Sequence, residues 1–458
     1  MKTKTSIIVG AGLAGSLLSI FLAKHGYHVD LYERRPDLRT ESSYSGRSIN
    51  MALSKRGVTA LEKLGLDQKI LGQAISMKGR MIHGNGGRLS FAPYGKNEEE
   101  VIYSISREDL NAAILNATEN FPEIRLHFEK QCLGMKLSSE ELTFLDKKTD
   151  VEFTLDASRV FDTEGSTSAV RTSWIGRPRF NFSQNYLEHS YKELTIPPGK
   201  EGKHQMEKHA LHIWPMASYM LIALPNLDGS FTCTLFLPLQ GDLSFENLKT
   251  PEDVTSFFQD KFPDAYALMP SLNEDFSQNP TGSLVTVKCS PWNFKDQVLL
   301  LGDAAHAMVP FYGQGMNCSF EDCTVLNDCI EKYDHDWERI FQEYQKLRKE
   351  NTDAIADLAI DNFIEMRDLV ADPKFLLKKE LEHKLEDKYP GDFISKYSMV
   401  TFTDIPYAEA MRKGRIQDSV LEQICHDVND LGGLDLSSVK REIDRALNAE
   451  RRQAMVRA

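Results

Sequence analysis

The chain has 458 residues and a mass of 52.0 kDa, which is long enough for two or three domains with substantial cores. Its 41% hydrophobic and 26% charged residues are ordinary for a soluble globular protein, and its net charge of −13 argues against a general binder of nucleic acid or anionic membranes. The seven cysteines show no Cys-x-x-Cys spacing, so neither a zinc site nor a disulfide framework is indicated. Reduced thiols in a cytoplasmic protein are the expectation.

The N-terminal segment has the pattern of a dinucleotide-binding βαβ unit. Residues 5–9 predict a strand, residues 16–25 a helix and residues 27–32 a second strand that ends at Glu33. Lys2 and Lys4 before an apolar run also resemble the start of a signal peptide or a short membrane span. The glycines that interrupt the run, and the strand that follows it, argue against that alternative.

The turn between the first strand and the helix is suited to a pyrophosphate. Gly10 permits a tight turn, Gly12 lets the backbone approach the ligand, and Gly15 lets helix and strand pack closely. Glu33 lies eighteen positions beyond Gly15 and suits the hydroxyls of an unphosphorylated ribose, which favours the adenosine of FAD or NAD over NADPH. We expect cofactor contacts along the whole turn, which consists of Gly10, Ala11, Gly12, Leu13, Ala14 and Gly15.

A second segment, VLLLGDAAHAMVPFYGQGMNCSFED from Val298 to Asp322, suggests the other half of the same site. Residues 298–301 predict a buried strand, and Asp303 follows its carboxyl end, where open α/β sheets bind their ligands. A Gly-rich loop then leads into a helix whose first turn contains Met316 and Asn317. A carboxylate accepts hydrogen bonds from sugar hydroxyls and a helix start favours an anion, so this segment could hold both ends of a long cofactor.

This second segment contains the string Gly-Asp-Ala-Ala-His…Pro-Phe-x-Gly-Gln-Gly-Met-Asn. The string resembles the second FAD-binding motif of the single-component FAD-dependent aromatic hydroxylases, the family with the p-hydroxybenzoate hydroxylase fold. The resemblance implies an α/β fold with a Rossmann-like FAD-binding domain, an interleaved β-sheet substrate domain and a helical C-terminal region. The expected division assigns residues 1–75, 102–178 and 280–335 to the FAD domain, 76–101 and 179–279 to the substrate sheet, and 336–458 to the helical region.

Further FAD contacts are implied by the same resemblance. Pro310 and Gln314 would shape the floor beneath the flavin ring, and the helix start near Gly315 would stabilise its reduced, anionic form. Glu164-Gly165 stands where the family has Asp-Gly, which leaves the role of that carboxylate open. The remaining implied contacts are Arg34, Arg47, Arg107, Asp303, Met316 and Asn317.

Two short segments narrow the resemblance to hydroxylases that act on L-kynurenine. They are Lys-Gly-Arg-Met-Ile-His at residues 78–83 and Pro-Tyr-Gly at residues 93–95. The matching arginine and tyrosine of those enzymes hold the substrate carboxylate, which assigns this role to Arg80 and Tyr94. Asn362 and Tyr397 match further positions near the substrate. Residues 212–238 predict a sheet with one packed face, in which sheet packing is the expected role of His212 and Trp214.

The implied reaction is the NADPH- and O2-dependent ortho-hydroxylation of L-kynurenine, by tightly bound FAD through a flavin hydroperoxide. NADPH is a transient co-substrate, and no metal, nucleic acid or membrane anchor is expected. The ring amino group of the substrate already donates electrons, so we nominate no catalytic acid or base. Two alternatives stay open, namely a flavin monooxygenase for another anionic aromatic substrate and a redox-controlled flavoprotein binding module. A cytoplasmic monomer or homodimer is expected.

Overall fold

The computed structural model describes residues 5–40, 50–95, 99–369 and 372–457. Its strands are β1 (Thr5–Val9), β2 (His28–Tyr32), β3 (Asn50–Leu53), β4 (Ile75–Met77), β5 (Gly79–Gly84), β6 (Arg88–Pro93), β7 (Ile102–Ser106), β8 (Ile124–His127), β9 (Lys130–Lys136), β10 (Glu141–Asp146), β11 (Val151–Asp156), β12 (Val160–Asp162), β13 (Asn181–Ile196), β14 (Ala210–Pro215), β15 (Met220–Pro225), β16 (Phe231–Pro238), β17 (Gly282–Ser290), β18 (Asn293–Phe294) and β19 (Val298–Leu300).

The α-helices are α1 (Leu13–Lys24), α2 (Lys55–Leu64), α3 (Asp67–Leu71), α4 (Arg107–Thr118), α5 (Ala169–Thr172), α6 (Pro251–Lys261), α7 (Pro263–Tyr266), α8 (Leu272–Gln278), α9 (Asp303–His306), α10 (Gly315–Tyr333), α11 (Trp337–Ile364), α12 (Pro373–Lys388), α13 (Lys396–Phe402), α14 (Tyr407–Asp427) and α15 (Leu436–Arg457). Short 3-10 turns cover Asn85–Gly87, Lys200–Gly202 and Pro310–Tyr312, and a π-helical turn, Glu365–Leu369, continues α11.

A six-stranded sheet, which we call the parallel sheet, has the order β18-β19-β12-β1-β2-β8. Its strands are parallel except β18, which pairs antiparallel with β19. The central strand β1 is buried from Ser6 to Val9 and apolar from Ile7 onwards, as expected for a strand that is covered on both faces. Helix α1 begins at Leu13, three residues before the predicted start at Ser16, because the glycine turn itself leads into the first helical turn with Gly12 at the N-cap position.

A second sheet, which we call the mixed sheet, has seven strands in the order β17-β13-β16-β15-β14-β5-β6. Alternation along β16 divides its two faces, as the sequence predicted. Phe231, Cys233, Leu235 and Leu237 pack in the hydrophobic core that α6, α7 and α8 cover. Strand β17 pairs with β13, so residues 282–290 lie in the mixed sheet although the expected division placed them with the FAD domain.

Helices α11 to α15 form the helical C-terminal region. Helix α11 has 28 residues, and its apolar stripe, which includes Ile355, Leu358 and Phe363, packs against α13 and α14 beside the mixed sheet. Across the described residues, none of the helices has the combination of length and apolar character that crossing a bilayer requires. The predicted α/β fold class, with a Rossmann-like unit, an interleaved sheet and a helical C-terminal region, is confirmed.

Two histidines form a buried hydrogen-bonded chain behind the mixed sheet. His212 donates through Nε2 to the carbonyl of Glu207 at 2.9 Å, and its Nδ1 is hydrogen-bonded to Nε2 of His83 at 2.9 Å. Nδ1 of His83 donates to Asp264 on α7 at 2.6 Å, and Trp214 donates to the same carboxylate at 3.0 Å. His212 and Trp214 therefore serve sheet packing, the role that the sequence favoured.

Burial lowers the pKa of His212 from 6.5 to about 4. Because the unfolded chain takes up a proton near pH 6.5 and the folded protein does not, stability is lost as the pH falls from 6.5 towards 4, by about 2.5 kcal/mol at pH 4.5. We expect His212→Asn, which keeps one donor and one acceptor, to abolish this part of the pH dependence. Free energies of unfolding in urea at pH 7 and pH 4.5 measure it. The exposed His28→Asn is the control, and an equal acid sensitivity of His212→Asn and the unmodified protein would refute the expectation.

Candidate functional site

A cavity of about 550 Å³ lies where the carboxyl end of the parallel sheet faces the mixed sheet. It brings together most of the residues predicted from the sequence, with the glycine turn at one end and Arg80 at the other. The predicted residues that line it are Gly10, Gly12, Leu13, Ala14, Glu33, Arg34, Arg80, Tyr94, Arg107, Asp303, Pro310, Gly315, Met316 and Tyr397. Predicted residues outside its lining are Ala11, Gly15, Gln314, Asn317 and Asn362, whereas Arg47 lies outside the described residues.

The glycine turn has the stereochemistry that a dinucleotide requires. Gly10 has φ +101°, and a Cβ there would lie 2.6 Å from the carbonyl oxygen of Thr163. A Cβ at Gly15 would lie 2.0 Å from the carbonyl oxygen of Gly10, so helix α1 could not pack as it does. At Gly12, by contrast, no protein atom lies within 4 Å of the Cβ position. The backbone at Gly12 therefore opens to the cavity, which fits the approach of a pyrophosphate.

Glu33 connects the end of β2 to the same turn. Its Oε2 accepts from the backbone N–H of Ala11 at 2.9 Å, and its Oε1 accepts from the N–H of Arg35 at 3.0 Å. Each carboxylate oxygen can accept a second hydrogen bond, so Glu33 can hold the turn and still bind ribose hydroxyls. The residues present at this end of the cavity fit the adenosine part of FAD.

Glu164 has local partners at the start of α5. Its Oε2 accepts from the N–H groups of Ala169 and Val170, at 3.1 and 3.2 Å, at the start of α5. Burial and the neighbouring Asp162 raise the pKa of Glu164. The carboxylate thus organises the loop beside the cavity by capping α5.

The second motif brings a carboxylate and a helix start to the cavity. Asp303 is exposed, follows β19 and begins α9, and Gly302 before it has φ +62°. Gly315 and Met316 form the first turn of α10 and also line the cavity. Backbone N–H groups at this end of a 19-residue helix present a partial positive charge to any anion placed there.

The side chains of Gln314 and Asn317 bind protein groups in this structure. Nδ2 of Asn317 donates to the carbonyls of Ala52 and Gly313, both at 2.8 Å, and its Oδ1 accepts from the N–H of Ser54 at 2.9 Å. Nε2 of Gln314 donates to Oγ of Ser54 at 3.2 Å, and its Oε1 accepts from the hydroxyl of Tyr407 at 2.8 Å. Both amides hold the loop in place, and their predicted contact with the flavin stays a prediction.

A buried charge network lies behind this loop, and it consists of Arg56, Glu321, Asp322 and Arg348. Arg348 donates through Nε to Asp322 and through Nη1 to Glu321, both at 2.6 Å, and Arg56 donates to the other oxygen of Glu321. The second oxygen of Asp322 accepts from Nε2 of His306 at 2.6 Å and from the N–H of Gly302 at 3.1 Å. Burial opposes the charge of Asp322, but His306 and Arg348 outweigh it and lower its pKa.

The far end of the cavity combines one cation with stacked phenols. The guanidinium carbon of Arg80 lies 5.5 Å from the ring centre of Tyr94 and 5.3 Å from that of Tyr397. The two rings are nearly parallel with centres 5.5 Å apart, and burial raises both phenol pKa values, so both remain hydrogen-bond donors at neutral pH. Among the described residues, Nε of Arg80 has no hydrogen-bond partner.

Several lining residues were not predicted from the sequence. Thr232, Thr234 and Phe236 point into the cavity from β16, and the alternation of that strand was the available signal. Tyr312 and Met366 gave no such signal, because their positions depend on the packing of α11 and α13. Asn362 is buried and donates to the carbonyl of Phe311 at 2.7 Å, so its side chain supports the loop beside the cavity.

We expect Arg348→Met to lower the free energy of unfolding by about 3–5 kcal/mol, because it leaves buried Asp322 without its guanidinium partner. Arg415→Met is the matched control, since Arg415 pairs with Asp361 where both side chains are about half exposed, 56% and 49%. That change should cost less than about 1 kcal/mol. Urea unfolding of both variants gives the comparison, and equal losses would contradict the assigned role of the network.

Residues 2–223 and 250–358 match the family profile described as an FAD binding domain. The chain is 49% identical over 435 residues to kynurenine 3-monooxygenase of Myxococcus xanthus (strain DK1622), which covers 95% of this chain and 94% of that protein. It is 44% identical over 462 residues to kynurenine 3-monooxygenase of Dictyostelium discoideum, with 98% and 99% covered.

Solved structures share the fold. A tetrameric form of 2-methyl-3-hydroxypyridine-5-carboxylic acid oxygenase has a TM-score of 0.65 at 19% identity, covering 84% of this chain and 98% of that one. The p-nitrophenol 4-monooxygenase PnpA of Pseudomonas putida DLL-E4 has a TM-score of 0.65 at 15% identity, covering 92% and 99%. Identity of this extent with the curated relatives, together with the profile match, decides the family: the chain belongs to the FAD-binding-domain proteins and, among them, to the kynurenine 3-monooxygenases.

Proposed function

We propose that this protein hydroxylates L-kynurenine to 3-hydroxykynurenine with FAD, NADPH and O2. The observation that carries the proposal is the continuous cavity, which joins a dinucleotide-binding turn to an arginine flanked by stacked tyrosines. Relatives that are 41–49% identical over most of the chain bear the name of this activity. The reaction consumes one NADPH, one proton and one O2, and it releases NADP+, water and the hydroxylated product.

The adenosine of FAD would be held at the glycine turn by Glu33, Gly12 and Arg34, and its isoalloxazine ring beside the start of α10. FAD bound in this way supplies electron transfer from NADPH and the activation of O2. The N–H groups at Gly315 and Met316 would stabilise negative charge on a flavin ring bound at this helix start, and Asp303 would accept from a ribityl hydroxyl. Contacts of Arg47, Arg107, Pro310, Gln314 and Asn317 with FAD are part of the same proposal.

Arg80 binds the carboxylate of the amino-acid end of kynurenine. A guanidinium offers a planar pair of donors to a carboxylate, and Arg80 lines the cavity between the two phenols. The phenols of Tyr94 and Tyr397 add donors on either side. Burial works against the charge of Arg80, but Tyr94, Tyr397 and Glu365 more than offset it and hold its pKa above the ordinary value.

The remaining walls orient the aromatic ring and exclude water. Met220, Ile222 and Phe236 supply an apolar floor from the mixed sheet, and Met366 closes the opposite side. The high pKa values of the tyrosines make them unsuitable as bases, and the amino group of the substrate makes a base unnecessary. These residues act by position, which is the contribution expected of the protein when a cofactor carries the chemistry. Asn362 acts in the same way through the backbone of Phe311.

We also propose that the enzyme works in the cytoplasm as a monomer or homodimer. All seven cysteines are free and buried, which suits a reducing compartment. The division into an FAD domain, a substrate sheet and a helical region is part of this proposal, with the boundaries expected from the sequence except that residues 282–290 belong to the substrate sheet. The mixed sheet, which draws most of its strands from residues 76–101 and 179–279, supports that division.

The decisive assay follows NADPH oxidation by FAD-loaded protein in air with and without L-kynurenine, and identifies the product by mass. We expect strong stimulation and a product one oxygen atom heavier.

In Arg80→Lys the charge remains but the planar fork of donors is lost. KM for kynurenine should therefore rise about ten- to hundredfold, as for loss of a charge-assisted hydrogen bond, with a smaller change in kcat. Arg415→Lys, at an exposed position on α14, is the control.

Other outcomes would separate the competing assignments. If FAD binds but kynurenine neither stimulates NADPH oxidation nor gains oxygen, the kynurenine assignment fails, and a panel of anionic aromatic acids identifies the substrate. A kcat loss in Arg80→Lys without a change in KM would show that Arg80 does not bind the substrate carboxylate.

A further inference from the structure

We propose that Tyr407, in the helical C-terminal region, is a positioning residue for the flavin loop and acts on it through Gln314. The flavin loop is defined here as residues 310–316. The inference rests on the FAD site of the proposed function and adds a residue to that site which touches neither FAD nor substrate. Tyr407 lies 91 positions beyond the loop and begins α14.

The contact between the two side chains is buried and specific. Tyr407 is 0% exposed and Gln314 is 2% exposed, and the tyrosine hydroxyl donates to Oε1 of the amide at 2.8 Å. The opposite end of the amide donates to Ser54, just after β3. Oε1 of Gln314 accepts from Tyr407 and its Nε2 donates to Ser54, so a single orientation of the amide satisfies both partners.

Gln314 controls the geometry of the loop through its backbone. It occupies the N-cap position of α10, and its carbonyl accepts the first helical hydrogen bond from Cys318 at 2.8 Å. Its side chain makes no capping hydrogen bond to α10, since it is directed to Tyr407 and Ser54. Its neighbours Gly313 and Gly315 line the cavity. A shift of the Gln314 side chain therefore moves the first N–H groups of α10, which face the flavin site.

The tyrosine itself is held rigidly. The guanidinium carbon of Arg56 lies 3.9 Å from its ring centre, and the same arginine donates to Glu321 of the buried charge network and to the carbonyl of Ile405. Burial raises the pKa of Tyr407, so the hydroxyl remains a donor across the working pH range. A fixed donor at this place links the helical C-terminal region directly to the flavin loop.

The test removes only the hydroxyl. Tyr407→Phe keeps the ring against Arg56, and Tyr389→Phe is the matched control, because its hydroxyl also donates one hydrogen bond, to Ser437 at 2.9 Å, far from the loop. We measure the dissociation constant of FAD by fluorescence titration without NADPH or kynurenine, and the visible spectrum of bound FAD. Tyr407→Phe should weaken FAD binding by about three- to tenfold, the range for one hydrogen bond, and shift the flavin bands, whereas Tyr389→Phe should do neither.

A double-mutant cycle tests the route through Gln314. Gln314→Met, which has a similar shape without the amide, should reproduce the loss of FAD affinity, and adding Tyr407→Phe should weaken binding no further. Fully additive losses of FAD affinity would overturn the proposal. It would also be overturned if Tyr407→Phe only lowered the melting temperature, while its FAD affinity stayed within twofold of the unmodified protein and its spectrum stayed unchanged. Because no substrate is present, failure of the kynurenine assignment would leave these readouts unaffected.

Discussion

The structure around the cavity depends on the buried charge network. Two arginines, Arg56 and Arg348, meet two carboxylates, Glu321 and Asp322, so that the four formal charges cancel inside the protein. Helices α2, α10 and α11 each contribute to the network, and removal of any member would leave an uncompensated charge in a medium of low polarity. The same carboxylate, Asp322, binds the N–H of Gly302. The network therefore also holds the backbone at the point where the second motif turns from strand to helix.

Local patterns predicted the units of the fold but not this network. The strand, glycine turn and helix at the N-terminus are short-range features, and their spacing identifies them without any tertiary information. Arg348, within a charged stretch of α11, has the pattern of a solvated helix face. Its burial follows from carboxylates 26 and 27 residues away, which α10 and α11 bring together only after they pack. A single sequence gives no signal for such a partner.

The candidate site shows the same limit at the level of single side chains. A motif specifies which residue stands at a position, but a side chain with two or three hydrogen-bonding groups can serve either the ligand or the protein. Asn317 illustrates this, because all of its three hydrogen bonds go to backbone groups around the loop. Glu164 shows the same use of a carboxylate, since its Oε2 accepts from the N–H groups at the start of α5. Only the three-dimensional structure distinguishes these two uses. Both uses affect how firmly the residues that line the cavity are held.

One wall of the cavity depends on the register of β16, which is linked to strand β3. A slip of one residue in β16 would turn Thr232 and Thr234 into the core and bring Phe231 and Cys233 into the cavity. The hairpin before β16 prevents such a slip, because Nδ2 of Asn226 donates to Ser230 and Thr232 across the turn. Oδ1 of Asn226 accepts from Asn50 of β3 at 2.6 Å, and Asn50 also lines the cavity. The register of β16 is therefore anchored to β3, so one shared contact sets the relative position of two strands that border the cavity.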